Sequence, residues 1–244
     1  MRKLDQVSNR QIADLWNSSA EKRFEEISTG SDRSYSEVLL PLFEDELKKL
    51  RPSSVLDAGC GLGFLSKSAA KICDTVTGVD LSGRSIEIAA ARNQAANVYY
   101  HASAIEEFTP EEKFDCVVCN MVLMDCVDHR SFIEALSRMI KRRGRLFATI
   151  TNPYYWPRYW GYEKKRWFSY NANIPIEANF RTSSLGQEDF ITIHTHRPFA
   201  SYIDALHAAG FRVNGITELS GFVKLERSVH SKYPRYIFFD AEKE

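Results

Sequence analysis

The residues best equipped for chemistry begin with two carboxylates around a glycine turn. Asp57 stands two residues before Gly59, Gly61 and Gly63 follow at alternate positions, and a second apolar run, Val76 to Val79, ends in Asp80. Glycines let a backbone turn sharply, adopt positive φ and lie against a ligand. Asp57 is awkward beside a pyrophosphate but well placed to pair with an ammonium, and Asp80 stands where the ribose-binding acid of a nucleotide site belongs. A dinucleotide turn, G-x-G-x-x-G, would need Gly or Ala at position 64, where Phe64 stands. Farther on, His194-Thr195-His196-Arg197-Pro198 is a dense polar cluster able to move protons. His194 and His196 share a side if that segment is extended.

These groups need elements to hold them. Val55 and Leu56 fit a buried first strand, and Phe64, Leu65, Ala69 and Ile72 an amphipathic helix after the turn. Further strands are expected near 75–80, 98–102, 114–119 and 145–150, with helices near 62–73, 83–95 and 130–142 between them. Lys141, Arg142 and Arg143 are expected at the negative end of the last of these helices. A late helix starts at Phe199 and stops at Gly210, and two strands near 211–219 and 234–240 pair as an antiparallel hairpin. The pattern predicts an α/β fold, a doubly wound, seven-stranded, mostly parallel sheet of Rossmann-like type, with helices on both faces. Ahead of it, two helical stretches (Asp5 to Ile27 and Tyr35 to Leu50, interrupted or kinked at Pro41) form an N-terminal cap. Between the fifth strand and the late helix, Asn152 to Pro198 holds Tyr154, Trp156, Trp160, Trp167 and many other aromatics, and a connection this long reads as a lid or binding loop. The expected division is therefore 1–50 cap, 51–151 with 199–244 core, and 152–198 insert, all in a single domain.

Taken together, these residues resemble the cofactor signature of the class I S-adenosylmethionine-dependent methyltransferases. The resemblance continues through Ser103-Ala104, Phe114-Asp115 to Asn120, Gly144 to Phe147 and Ala208 to Phe211, so it covers roughly residues 51 to 211. It implies S-adenosyl-L-methionine as cofactor and S-adenosyl-L-homocysteine as product. Asp57 would take the ammonium, the backbone at Gly59, Gly61 and Gly63 would pass close to the methionine chain, and Asp80 would take the ribose diol. Leu81 and Ile105 would sandwich the adenine. Ser103-Ala104 replaces the usual acid-small pair, which weakens a contact to the adenine amino group or moves it to backbone or Glu106. Asn120 would face the methionine end through its backbone, with Met121, Val122 and Leu123 flanking the methyl.

The cluster at 194–198 resembles the His-Arg-Pro segment of a subgroup of small-molecule methyltransferases. That makes His196 the first choice for a base or substrate-orienting group and His194 the second. Asp125, in a Met124-Asp125 pair that also resembles this subgroup, is a further candidate for proton acceptance or for holding a substrate amine; capping the next helix is its plainer use. Trp16, Met124 and the insert aromatics would line the acceptor pocket, where they could cage a cationic amine or clamp a planar ring. Asn152-Pro153-Tyr154-Tyr155 looks like an amino-methyltransferase motif but follows the wrong strand, so it is set aside. The activity implied is methyl transfer to an O, N or C nucleophile of a small molecule, secondary metabolites included. Rival readings are an RNA or protein acceptor, an NAD-type dehydrogenase, and a non-catalytic S-adenosylmethionine-binding protein.

Composition agrees. Lysine plus arginine and aspartate plus glutamate number 32 each in 244 residues, which argues against a dedicated nucleic-acid surface. The five cysteines read as reduced thiols, and Cys116 and Cys119, three apart on a strand, point to opposite faces and so do not suggest a metal site. Met1 to Arg10 has no apolar signal core, and no run of 18 apolar residues occurs, so a cytoplasmic protein away from membranes is expected, as monomer or homodimer.

Overall fold

The computed structural model describes residues 1–180, 190–220 and 233–244. The chain begins with β1 (Arg2–Lys3) and α1 (Asn9–Ser28), which opens on a reciprocal cap: the Ser8 hydroxyl accepts from the Gln11 amide, and the Gln11 side chain accepts from the Ser8 amide. A π-helical turn at Tyr35–Leu39 runs straight into α2 (Leu40–Leu50). Pro41 does not interrupt the helical path, because at the first turn of α2 its missing N–H disturbs little.

The core alternates as its hydrophobic periods predict: β2 (Ser54–Ala58), α3 (Phe64–Ala69), β3 (Thr75–Asp80), α4 (Gly83–Arg92), β4 (Val98–Ala102), β5 (Phe114–Asn120), α5 (His129–Met139) and β6 (Ile140–Thr151). The insert then supplies α6 (Trp156–Trp160), β7 (Ile174–Asn179) and β8 (Ile191–His196), before α7 (Phe199–Ala208), β9 (Phe211–Leu219) and β10 (Tyr236–Lys243). The seven-stranded sheet has the order β4-β3-β2-β5-β6-β10-β9. Its first five strands are parallel neighbours, while β10 lies antiparallel to both β6 and β9. Chain order reverses beside β2, so β3 and β5 leave it on opposite sides and a crevice opens at their carboxyl ends.

Each face of the sheet carries its own apolar core. Leu56, Val117, Leu123, Ile133, Leu136 and Leu206 pack on the side of α5 and α7, and Phe43, Leu47, Val55, Val76, Val118 and Phe147 on the side of α2. Cys119 belongs to the first cluster and Cys116 to the second, as strand alternation requires.

Two expectations change. The helix read over 130–142 ends at Met139; Ile140 is already extended, Arg143 has φ 63°, and the Lys141 ammonium pairs with Asp115 at 2.7 Å. The insert is not simply a loop: β7 and β8 pair antiparallel, and the two residues of β1 extend them to a second, three-stranded sheet. Tyr155, Trp156, Trp160, Tyr162, Ile174 and Ile176 form its separate core. Positions 181–189 of the expected insert lie outside the described residues. Among the described residues, no helix is long and apolar enough to cross a membrane, and no group of three His, Cys, Asp or Glu side chains is placed to hold a metal.

Candidate active site

The carboxyl end of β2 carries Asp57, 1% exposed, whose carboxylate accepts a hydrogen bond from the Ser66 hydroxyl at 2.6 Å. Burial pushes its pKa up to about 7, and the nearby charge of Asp80 adds to the rise against the opposing Ser66 bond. The turn that follows has φ of 75°, 51° and 77° at Gly59, Gly61 and Gly63. A side chain at Gly59 would also collide with Val122, so this bend needs glycine for both conformation and space. The Gly59 and Cys60 amides donate to the Val79 carbonyl at 2.8 and 3.1 Å, which ties the turn to the end of β3.

Asp80 accepts from the Gly61 amide through one oxygen and from the Ser82 amide through the other, each at 2.8 Å. Burial raises its pKa. Each carboxylate oxygen keeps acceptor capacity, which suits a vicinal diol. The Ser103 amide donates to the Asp80 carbonyl at 2.9 Å, and the Ser103 hydroxyl donates to the Ala104 carbonyl at 2.9 Å, leaving only its lone pairs for a ligand. At the end of β5, the Thr149 hydroxyl donates to the Asn120 side-chain oxygen at 2.7 Å and accepts from the Met121 amide at 3.1 Å. Met121 has φ 60°, a left-handed conformation that side chains resist and surrounding contacts must hold.

These groups open on one cavity of about 270 Å³. Asp57, Gly59, Gly61, Asp80 and Leu81 line it, as do Ser103, Ala104, Ile105, Asn120 and Met121. Gly63 stands outside it, at the start of α3. The helical cap closes one wall: the Asn17 side chain of α1 accepts from the Ser82 hydroxyl at 2.8 Å and the Arg84 amide at 3.1 Å. Trp16 faces the same cavity and packs edge-on against Phe180 at 5.7 Å between centroids.

The far wall comes from β8, α6 and the turn after β5. The Arg197 guanidinium, 2% exposed, donates to the carbonyls of Leu123 (3.0 Å), Cys126 (2.6 Å) and Val127 (2.9 Å), and the Thr195 amide donates to Met124 at 2.8 Å. This clamp presents Met124 and Asp125 to the cavity. His194 Nδ1 lies 3.7 Å from Asp125 Oδ1. Burial drives the His194 pKa down to about 3, with the Arg197 charge adding to the fall, and drives Asp125 well up. Burial thus disfavours the charged form of both groups, which lie close enough to titrate as a pair. Trp156 and Trp160 lie beside the His194 ring at 6.2 and 5.5 Å between centroids.

His196, the first expectation for a base, is one strand repeat away and does not line the cavity. Its Nε2 bonds the Tyr170 carbonyl at 3.0 Å, and the rings of Tyr162, Phe168 and Tyr170 enclose it. Tyr154 is 66% exposed and stacks on Tyr170, and Trp167 stacks on Tyr162; neither reaches the cavity. Arg23, Tyr35 and Thr192 do line it, although nothing in their local sequence marks them. Arg23 pairs with Asp32 at 3.0 Å and lies over the Phe180 ring. An arginine on an amphipathic helix carries no signal of its own until the helix is docked.

Residues 56–148 match the family described as "Methyltransferase domain". The chain is 37% identical over 106 residues to a ubiquinone biosynthesis O-methyltransferase of Coxiella burnetii, covering 42% of this chain and 45% of that protein. It spans about half the length of the curated relatives it matches. Among solved structures, magnesium protoporphyrin IX methyltransferase from Synechocystis PCC 6803 with bound S-adenosylhomocysteine superposes with a TM-score of 0.67 at 17% identity, over 97% of this chain and 100% of that one. A 1,6-didemethyltoxoflavin-N1-methyltransferase from Burkholderia thailandensis gives 0.61 at 17% identity, over 98% and 92%. Over residues 56–148 the chain matches the methyltransferase domain family, and its fold is that of the solved methyltransferases on which it superposes.

Proposed function

We propose that the protein transfers a methyl group from S-adenosylmethionine to an O, N or C nucleophile of a small molecule. The observation that carries this reading is a single cavity with Asp57 and Asp80 either side of a glycine turn at one end and the His194–Asp125 pair at the other. The donor set fits the cofactor. Asp32, Asp57, Asp80, Glu106 and Asp125 line the cavity against Arg23 alone among lysines and arginines of the described residues, so it favours positive charge. Asp57, a carboxyl held near neutrality by burial, gains a partner when an ammonium arrives. Asp80 would hold the ribose, Leu81 and Ile105 the adenine, with Ser103 and Ala104 beside it, and Asn120 and Met121 the methionine end.

When bound, the cofactor supplies a methyl already activated on a sulfonium. The protein's part is to align the acceptor and manage its proton. Well-oriented reactants recover about 7–11 kcal/mol of a bimolecular barrier, and a general base adds about 10²–10⁴-fold for a hydroxyl or protonated amine. His194 replaces His196 as the group for the second task. Positive charge in the cavity favours loss of the Asp125 proton. The resulting carboxylate holds the Nδ1 proton of His194 and leaves the other ring nitrogen free to accept one. The enclosed, largely apolar wall of Trp16, Met124, Trp156 and Trp160 supports a small acceptor over a polymer. The five free thiols support a cytoplasmic setting. Calorimetry with S-adenosylmethionine and with NADH, followed by transfer of a labelled methyl to a panel of small nucleophiles, tests the reading. Absence of S-adenosylmethionine binding sinks it.

A further inference from the structure

Among the described residues, two indole N–H groups, Trp156 Nε1 and Trp160 Nε1, are buried without a hydrogen-bond partner, as is the Thr192 hydroxyl. All three side chains line the same cavity as His194. Buried polar atoms are almost always paired, and an unpaired donor weakens the fold that holds it. An indole nitrogen only donates, so what is missing here is an acceptor. The arrangement is not scattered. Trp156 and Trp160 lie four residues apart on one face of α6, with ring centroids 5.8 Å apart, and Thr192 and His194 alternate onto one face of β8.

Resting on the methyltransferase reading, we propose that the acceptor is a compact planar compound carrying a carbonyl or carboxylate oxygen beside its nucleophile, received by the N–H groups of Trp156 and Trp160. A substrate ammonium would leave both N–H donors unpaired. The tryptophans thus fix the oxygen-rich side of the substrate, while His194 addresses the neighbouring nucleophile.

The test uses the full chain saturated with S-adenosylhomocysteine and ¹⁵N-labelled at the indoles, with Trp156→Phe and Trp160→Phe to assign the signals. The probes are 2-hydroxybenzoate, 2-hydroxyacetophenone and benzylamine. At least one oxygen-bearing probe should move the Trp156 and Trp160 Nε1–H resonances downfield, and benzylamine should not. Each Phe variant should weaken that probe about tenfold and leave S-adenosylhomocysteine affinity unchanged. A merely structural role lowers the unfolding temperature and leaves probe affinity unchanged. If no oxygen-bearing probe moves either indole, or the variants bind it as tightly as the parent, the proposal is overturned. If calorimetry shows no S-adenosylhomocysteine binding to the parent protein, the methyltransferase reading falls and takes this proposal with it.

Discussion

Lowering the pH from 7 to 6 should weaken S-adenosylhomocysteine binding about fivefold, through Asp57. Its carboxyl is 1% exposed and sits at a pKa of about 7, chiefly because burial penalises the charged form. The ligand's ammonium favours that charged form, so the bound pKa lies lower and binding expels a proton. The sign follows: affinity is full where the free site is already ionised and falls as pH drops through 7. With a pKa of 7, the ionised fraction is about one half at pH 7, about one eleventh at pH 6 and about ten elevenths at pH 8. Apparent affinity scales with that fraction, giving about a fivefold loss on one side and about a twofold gain on the other. Calorimetry at pH 7 in two buffers of different ionisation enthalpy should count about half a proton released per ligand bound. Asp80, also raised by burial, acts in the same direction and can only steepen the slope. Asp57→Asn should bind more weakly and remove most of the dependence. A flat profile from pH 6 to 8, or proton uptake, would refute the ammonium assignment; an unchanged profile in Asp57→Asn would move it to another group.

Asp80→Ala should weaken S-adenosylhomocysteine at least about tenfold, because the Gly61 and Ser82 amides lose their acceptor along with the ribose. His194→Ala should lower turnover by about 10²–10⁴-fold with cofactor affinity intact. His196→Ala, cutting a bond to the Tyr170 carbonyl under three rings, should instead lower the unfolding midpoint; the reverse pattern would return the base to His196. Arg197→Met should cost about 2–4 kcal/mol in denaturant unfolding, since several carbonyls of the 123–127 turn lose one shared donor. A near-neutral result would show that the turn holds itself.

The second sheet shows where sequence reading stops. Ile174, Ile176 and Ala178 on one strand, and Thr192, His194 and His196 on the other, do alternate, but their run is short and broken by proline. Their partner β1 is two residues long, too short for any period, and it joins from the other end of the chain. Long-range pairing of that kind leaves no local trace. Arg23 is similar: its place on the cavity depends on how α1 docks against α4, with Asn17 binding the Ser82 turn.

The order of the seven-stranded sheet's elements, the glycine turn and its two acids were determined by the sequence alone, because strand and helix periods and the need for positive φ are properties of neighbouring residues. Which histidine meets the cavity was decided only by tertiary structure. His194 and His196 share one face of β8 and are equivalent to any local rule; packing puts α6 against the first and Tyr162, Phe168 and Tyr170 over the second. Among the described residues, the same packing leaves the Trp156 and Trp160 N–H groups without an acceptor.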